Sequence, residues 1–414
     1  MNILFLDFET TKKPKFLPWI PGSYPVTLHM TLFINNKTKI LPPVIFNHTS
    51  LKKQQSITSL SEYIQEQVDS VHMLVAQNTK FELHWLRALG IEYGHKFVYD
   101  TMVADYMLSG QNKKYKYTLE DIAIRYECTK KTGLVSQFWD IGFETDEIPL
   151  DILLEYGDND VAVLAEIYWK QQPLIQQKNM SKIIALRCES LKVTQEIEWN
   201  GMYIDVEKTQ KFSDEYGRRY EELLESTINL VRKLLGICNN IPINFASNDH
   251  LSAILFGGII KYNSKETILT EIWGFEISEN GKKIKKKIPK ERERKCVKEI
   301  QTIGLGFIPQ EKSNCKKEGY YKTNVNELNM LKPKTADQKA FLDCIFEMAK
   351  IEKMKGTYFD GLLELHINGC VRPSINEAVT STGRYSSSKP NLHNQPRGST
   401  SPVKECFISR YGLE

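Results

Sequence analysis

The sequence predicts an α/β domain followed by a mainly helical region that carries a β-rich, basic insertion. Three observations support that expectation. Over the first 175 residues, short apolar runs alternate with amphipathic segments, the pattern of strands packed against helices. From Ser181 to Leu235, and again toward Leu365, apolar residues recur at helical spacing. Between residues 258 and 322 the pattern changes to alternating segments separated by turn signals, as in β-hairpins.

Taken in order, Ile3, Leu4, Phe5 and Leu6 form a buried strand. Thr27 to Phe33 is β-type, and Asn35-Asn36 supplies hairpin turn residues. Leu60 to Val71 is helical, and Met73 to Ala76 is a short buried strand. Phe81, Trp85, Leu86 and Leu89 have helical spacing, so a helix follows that strand directly. Leu150 to Leu164 is a further amphipathic helix. The helix from Ser181 carries Ile183, Ile184, Leu186, Leu191, Val193 and Ile197, and it ends at Asn200-Gly201, a C-cap signal. A short strand at Met202 to Asp205 leads into a helix from Val206 to Leu235, and Ser247 is placed to cap the next one. Within the insertion Thr267 to Ile277 alternates, and Glu279-Asn280-Gly281 reads as a turn. Helices resume from Asn326 to Leu331 and from Asp337 to Leu365.

Composition sets bounds. A chain of 414 residues, 41% hydrophobic and 26% charged, has material for two to three globular domains. The net charge of +4 is too small to establish a polyanionic partner. Its distribution is more informative, because ten Lys or Arg face two Glu between Lys282 and Lys298. That run is expected to contact phosphates without reading sequence; the bland alternative is a solvated charged hairpin. Eight cysteines, Cys315 among them, form no CxxC pair, which argues against a zinc ribbon and fits free thiols in a reducing compartment. No apolar run reaches membrane-spanning length and no signal peptide precedes the first strand, so a cytoplasmic protein is expected.

The chemistry-bearing residues lie in three segments. Asp7 and Glu9 are two apart on the first strand, so both carboxylates point to one face beside an apolar core. Their repulsion calls for a divalent cation, since hard cations take carboxylate oxygens. Phe8, between them, is assigned to the core. Asn78 and Glu82 lie one turn apart where a helix opens after a buried strand, at the end of the sheet where open α/β folds place their sites. Tyr156 and Asp160 are likewise one above the other on a helix. Asp100, Asp105 and Asp158 are assigned to surface or capping roles.

Together these segments resemble the tyrosine-bearing branch of the DEDD superfamily, the proofreading 3′–5′ exonucleases. The matching motifs are Asp7-x-Glu9, Asn78 to Glu82, and Tyr156-x-x-x-Asp160. One departure is Glu82, where that family has Asp. The resemblance implies a ribonuclease H-like fold with a mixed sheet flanked by helices. It also implies two magnesium ions, replaceable by manganese, held between Asp7, Glu9, Glu82 and Asp160, with Tyr156 orienting the attacking water. No His/Cys cluster competes for zinc.

A second resemblance covers the last sixty or so residues. Lys353 to Tyr358, Arg372 to Asn376, and Thr380-Ser-Thr382-Gly-Arg384-Tyr-Ser-Ser-Ser-Lys-Pro-Asn391-Leu-His-Asn394 resemble the family A DNA polymerases, the bacterial polymerase I type also found in many phages. The resemblance implies that Arg384 reaches the minor groove at a primer terminus, where acceptors common to all base pairs report pairing rather than sequence. Thr382, Asn391, Asn394 and Lys353 become candidate DNA contacts, as does Asn78 for the single-stranded 3′ end. His393 stands where that family has Gln.

Three domains are thus expected: residues 1–175 as exonuclease, 176–350 as connecting helix and thumb with the basic insertion 258–322, and 351–414 as the start of a palm. Val403 to Gly412 resembles the approach to a palm's first catalytic Asp. The palm carboxylates and fingers are expected on a separate polypeptide, so this chain would not polymerise alone. A phage source, and hence a bacterial host cytoplasm, is expected because no 5′-nuclease segment precedes the exonuclease. The expected function is magnesium-dependent proofreading hydrolysis and primer-template binding in DNA replication. Two alternatives stay open: a catalytically weak DNA-binding subunit, if Glu82 disables the metal site, and a free-standing or RNA-trimming exonuclease.

Overall fold

The computed structural model describes residues 1–12, 16–51, 56–129, 134–277, 283–310, 317–397 and 401–411. Glu279-Asn280-Gly281, Lys282, Cys315 and Gly412, used in the sequence expectations, lie outside the described residues. The chain divides into two compact units, Met1–Thr209 with Gly361–Glu414, and Gln210–Asp360.

The first unit is built on a mixed sheet. Its strands are β1 (Ile3–Thr10), β2 (Pro25–Ile34), β3 (Lys37–Ile40), β4 (Val44–Ile45), β5 (Met73–Ala76) and β6 (Phe97–Asp100). They run in the order β3-β2-β1-β5-β6, with β4 against β2. β1 is antiparallel to β2 and parallel to β5, and β5 is parallel to β6. The β2–β3 turn is made by Asn35 and Asn36 at φ of 50° and 58°, the left-handed pair that a two-residue hairpin demands. The helices are α1 (Ile57–Asp69), α2 (Thr79–Ala88), α3 (Thr101–Leu108), α4 (Leu119–Arg125), α5 (Leu134–Asp140), α6 (Leu150–Gln177) and α7 (Ser181–Asn200).

Strand alternation sorts the core. Leu4, Leu6 and Phe8 join Leu60, Ile64 and Val68 of α1 and Leu83 and Leu86 of α2 on one side of the sheet. Ile3 and Phe5 join Val103 of α3 and Val161, Leu164 and Tyr168 of α6 on the other. Asp7 and Glu9 continue the second set, so they face the side on which α6 packs.

After α7, Gly201 at φ 62° leads into β7 (Met202–Ile204). A Cβ at Gly201 would lie 2.7 Å from the Val371 carbonyl, so the close approach of these two segments requires glycine. α8 (Val206–Leu235) then runs into the second unit, where α9 (Asn248–Phe256) is capped by the Ser247 hydroxyl, which accepts from the His250 N–H. The β-rich segment is one ribbon rather than several hairpins: β8 (Gly258–Ile277) pairs antiparallel with β9 (Lys283–Thr302) along their whole length. Its base, Ile260 and Ile300, packs on a core shared by Val231, Ile254, Phe341 and Ile345. α10 (Val325–Met330) and α11 (Ala336–Glu352) follow. The helix expected to run unbroken to Leu365 widens into a π-helical turn at Lys353–Asp360, with helix-weakening Gly356 inside it.

Returning to the first unit, α12 (Gly361–Leu365) precedes β10 (Cys370–Val371), β11 (Ser374–Asn376), β12 (Ser386–Ser388) and β13 (Phe407–Ile408). β10 and β13 flank β7, and β11 pairs with β12. The seven described cysteines are free thiols. Among the described residues, no helix is long and apolar enough to cross a membrane.

Candidate functional site

The site forms where β1 leaves the core. Asp7 pairs across the sheet with His29 and Glu9 with Thr27, and the register slips between Glu9 and Thr10, a bulge of the kind that re-aims side chains. α6 descends onto this face at Gly157. A Cβ there would sit 2.3 Å from the buried His29 ring, so only glycine lets the helix come this close. Asp160, less than a turn further on, then reaches the strand. Ligand oxygens of Asp7, Glu9 and Asp160 all lie within 4.8 Å of one another. Glu9 and Asp160 are buried and Asp7 is half-buried. Three such carboxylates offer hard oxygen donors, which suit magnesium or manganese, and among the described residues no His or Cys joins the group.

Glu82 has a different environment. It opens α2 fully buried, and its Oε2 accepts the Phe8 backbone N–H at 3.1 Å. Burial pushes its carboxyl well above the usual carboxylate range, and the charge on Asp7 adds to the shift, while the Phe8 bond opposes it. Of the four acids expected to hold metal, three therefore come together, and Glu82 stands beside them behind the strand backbone. Tyr156 precedes Asp160 by one helical turn and packs its ring edge against Trp139 at 6.2 Å.

The acids set aside in the sequence have definite places. Asp100 does cap, but from full burial: its carboxylate accepts the N–H groups of Asn78, Thr79, Met102 and Val103, fixing the starts of α2 and α3 together. Burial raises it to about 6, against the pull of those bonds. Asp105 is neither a cap nor at the surface, whereas Asp158 is half-exposed. Asp105 is buried against Arg125, and Asp158 bonds buried His29 at 2.7 Å. Their partners come from distant segments, which periodicity does not report. Phe8 is core, as expected.

Sequence reasoning missed a buried ionic cluster in the same unit. Lys80 Nζ lies 2.7 Å from Glu198 and 3.0 Å from Glu377, and His84 Nε2 lies 2.8 Å from Glu198. Thr194 donates to Glu377 at 2.7 Å, and Lys80 also donates to the Ile375 carbonyl. Burial lowers the His84 pKa. Glu198 stays low because bonds from His84 and Lys80 outweigh its desolvation. Local periodicity carries no signal for this cluster, because its members come from segments up to 297 residues apart. The cluster holds β11 and the following Glu377 to α2 and α7. Beside it lies a cleft of about 740 Å³ whose lining includes Phe16, Trp19, Asn78, Phe81 and Arg372.

Asn78 adopts φ 58° at the head of α2 and so borders this cleft. Thr382 and Arg384 are exposed on a turn. The Thr380 hydroxyl closes that turn on the Arg384 carbonyl at 2.8 Å, and Arg187 of α7 donates to the Gly383 carbonyl at 2.6 Å. Tyr385 is held by Ser190 at 2.7 Å and by the Arg187 guanidinium over its ring. Asn391 and Asn394 are exposed, with the Asn391 Oδ1 accepting the Asn394 N–H. Lys353 is exposed at the start of the π-helical turn of the other unit.

Comparison with known proteins adds similarities in sequence and fold. Residues 267–413 match the model of DNA polymerase family A. DNA polymerase I of Synechocystis sp. is 28% identical over 333 residues, covering 79% of this chain and 27% of that protein. The DNA polymerase of Bacillus phage SP01 is 23% identical over 390 residues, covering 89% of this chain and 40% of that protein. Thus the chain spans between about a quarter and two fifths of these relatives. Among solved structures, the POL domain of Pol1 from M. smegmatis, in complex with DNA primer-template and dNTP, aligns with a TM-score of 0.62 at 15% identity, covering 98% of this chain and 55% of that one. That likeness establishes a shared mixed α/β fold. Residues 267–413 are thus similar in sequence to family A DNA polymerases.

Proposed function

We propose that this chain is the 3′–5′ exonuclease and primer-template-binding portion of a family A DNA polymerase acting in DNA replication. One observation carries the nuclease half. Asp7, Glu9 and Asp160 converge to within 4.8 Å, with Tyr156 one turn before Asp160 on the same helix. In this reading those three carboxylates hold magnesium, with Glu82 supporting the strand between them. The metal, when bound, supplies Lewis-acid stabilisation of phosphoryl oxygens and a water of lowered pKa. Tyr156 orients the attacking water, its phenol acting as a hydrogen-bonding guide rather than as a base. Asn78, on the cleft, meets the single-stranded 3′ end. Thr382, Arg384, Asn391, Asn394 and Lys353 contact primer-template, a role supported by the similarity to DNA polymerases over most of the chain.

The test is a 5′-labelled single-stranded DNA incubated with magnesium and the purified chain, beside an Asp7→Ala control. A ladder of shortened products, lost in the control, is expected. No products from the unaltered chain would overturn the nuclease half.

The buried Glu82 favours a second reading, a DNA-binding subunit with a weakened nuclease. A carboxyl held on the Phe8 N–H and raised by burial is a poor metal ligand. If Glu82→Asp raises hydrolysis tenfold or more, the second reading gains; if hydrolysis falls or is unchanged, the first stands.

A further inference from the structure

The antiparallel register of the β8–β9 ribbon divides its side chains into two faces of different charge. Paired residues share a face, and their numbers are both odd or both even. Among residues whose side chains are described, the odd face carries Lys261, Lys265, Lys285, Lys287 and Lys295 against four glutamates. It is stitched by pairs: Lys261–Glu299 and Lys265–Glu293 at 2.7 Å, and Lys287–Glu271 at 3.1 Å. The even face carries Lys290, Arg292, Arg294 and Lys298 against Glu266 alone. Glu266 lies 3.7 Å from Lys298, and no acidic side chain among the described residues pairs with Lys290, Arg292 or Arg294.

We propose that the even face of this ribbon is a docking surface for the phosphate backbone of duplex DNA. It rests on the DNA-binding half of the function proposed above. Charge complementarity is the first argument. Alternate residues of a strand stand about 6.8 Å apart, so Lys290, Arg292 and Arg294 form a row of cations on one side. Glu266 lies opposite Arg294 in the register but pairs with Lys298, which leaves the row a net excess of positive charge among the described residues. Such a row displaces counterions from a polyanion wherever it lands, without reading bases. Two of the three are arginines, whose planar fork suits phosphate oxygens. The second argument selects duplex over single strand. Single-strand surfaces combine cations with exposed aromatic rings for base stacking. Among the ribbon residues whose side chains are described, the exposed ring is Trp273, on the odd face with Lys285 over it. The aromatic side chain described on the even face, Tyr262, is instead packed into the core at the base.

The test measures equilibrium binding of a labelled 24-base-pair duplex to the full chain across a salt series. Lys290→Ala/Arg292→Ala/Arg294→Ala is compared with Lys285→Ala/Lys287→Ala/Lys295→Ala, which removes the same charge from the odd face. The even-face variant is expected to bind on the order of 10- to 100-fold more weakly near 0.1 M salt, with a log-log salt slope reduced by about 2.7. The odd-face variant is expected to stay within about threefold of the unaltered chain. Equal losses from both faces, or none from the even face, would overturn the inference and leave the function standing. Tighter binding of single-stranded DNA through the same three residues would overturn the duplex assignment. Absence of any salt-sensitive duplex binding by the unaltered chain would overturn both.

Discussion

The carboxylate site and the basic ribbon both gather like charges, and they do so under opposite physical conditions. At the site, Asp7, Glu9 and Asp160 are held by two elements packed through a glycine, with two of the three acids buried. On the ribbon, Lys290, Arg292 and Arg294 stand in solvent on a two-stranded scaffold. Buried like charges repel strongly and persist only where packing enforces them. Exposed ones are screened, cost little and are interchangeable. Position therefore matters at the first, and only number and face at the second.

The sharpest test of that contrast is Asp7→Ala. Hydrolysis is expected to fall on the order of 1,000-fold, since several kcal/mol of charge stabilisation is removed. Its thermal midpoint should be unchanged or higher, because a repulsive neighbour is gone. A lower midpoint would show that the cluster stabilises the fold. Gly157→Ala comes next. Its Cβ would meet the His29 ring at 2.3 Å, so α6 must shift, costing about 1–3 kcal/mol of stability. Displacement of Asp160 should lower hydrolysis by roughly 100-fold; activity within a few-fold of the unaltered chain would show that the site tolerates movement as the ribbon does.

Asp100 gives a pH-dependent effect. Its carboxyl is raised from 3.8 to about 6 in the folded chain, so the folded state binds its proton more tightly. That contribution is complete below about pH 4 and is lost as pH rises through 6, the loss reaching about 3 kcal/mol by neutral pH. Asp100→Asn should flatten the slope of melting temperature between pH 4 and 7, and an unchanged slope would assign it elsewhere. The smallest effect expected is that of Arg292→Ala, a two- to fivefold loss of duplex affinity with the salt slope reduced by about 0.9. A tenfold or greater loss would mean that a single ribbon side chain is positioned as strictly as a site residue.

Several features were legible because they are encoded within a few residues. The strand at Ile3 and its period of two put Asp7 and Glu9 on one face, and helical period put Tyr156 above Asp160. Asn35-Asn36 marked a hairpin, Asn200-Gly201 a helix end and Ser247 a cap. The resemblance to family A polymerases was written in the segment from Thr380 to Asn394, within residues 267–413 that match that family's model. Other features needed the folded chain. Whether Asp160 meets Asp7 and Glu9 depends on how closely α6 approaches β2 at Gly157, across some 150 residues of sequence. Glu82 stood out in the sequence as a departure from Asp, but only the fold put its carboxyl on the Phe8 N–H. Lys80, His84, Glu198 and Glu377, to which the sequence assigned no role, meet in the interior. Alternation alone put Lys290, Arg292 and Arg294 on one face, but which glutamates of the opposite strand share that face appeared only with the register. Local periodicity fixes which way a side chain points, whereas its partner is fixed by packing between distant segments, and for a charge the partner decides both burial and chemistry.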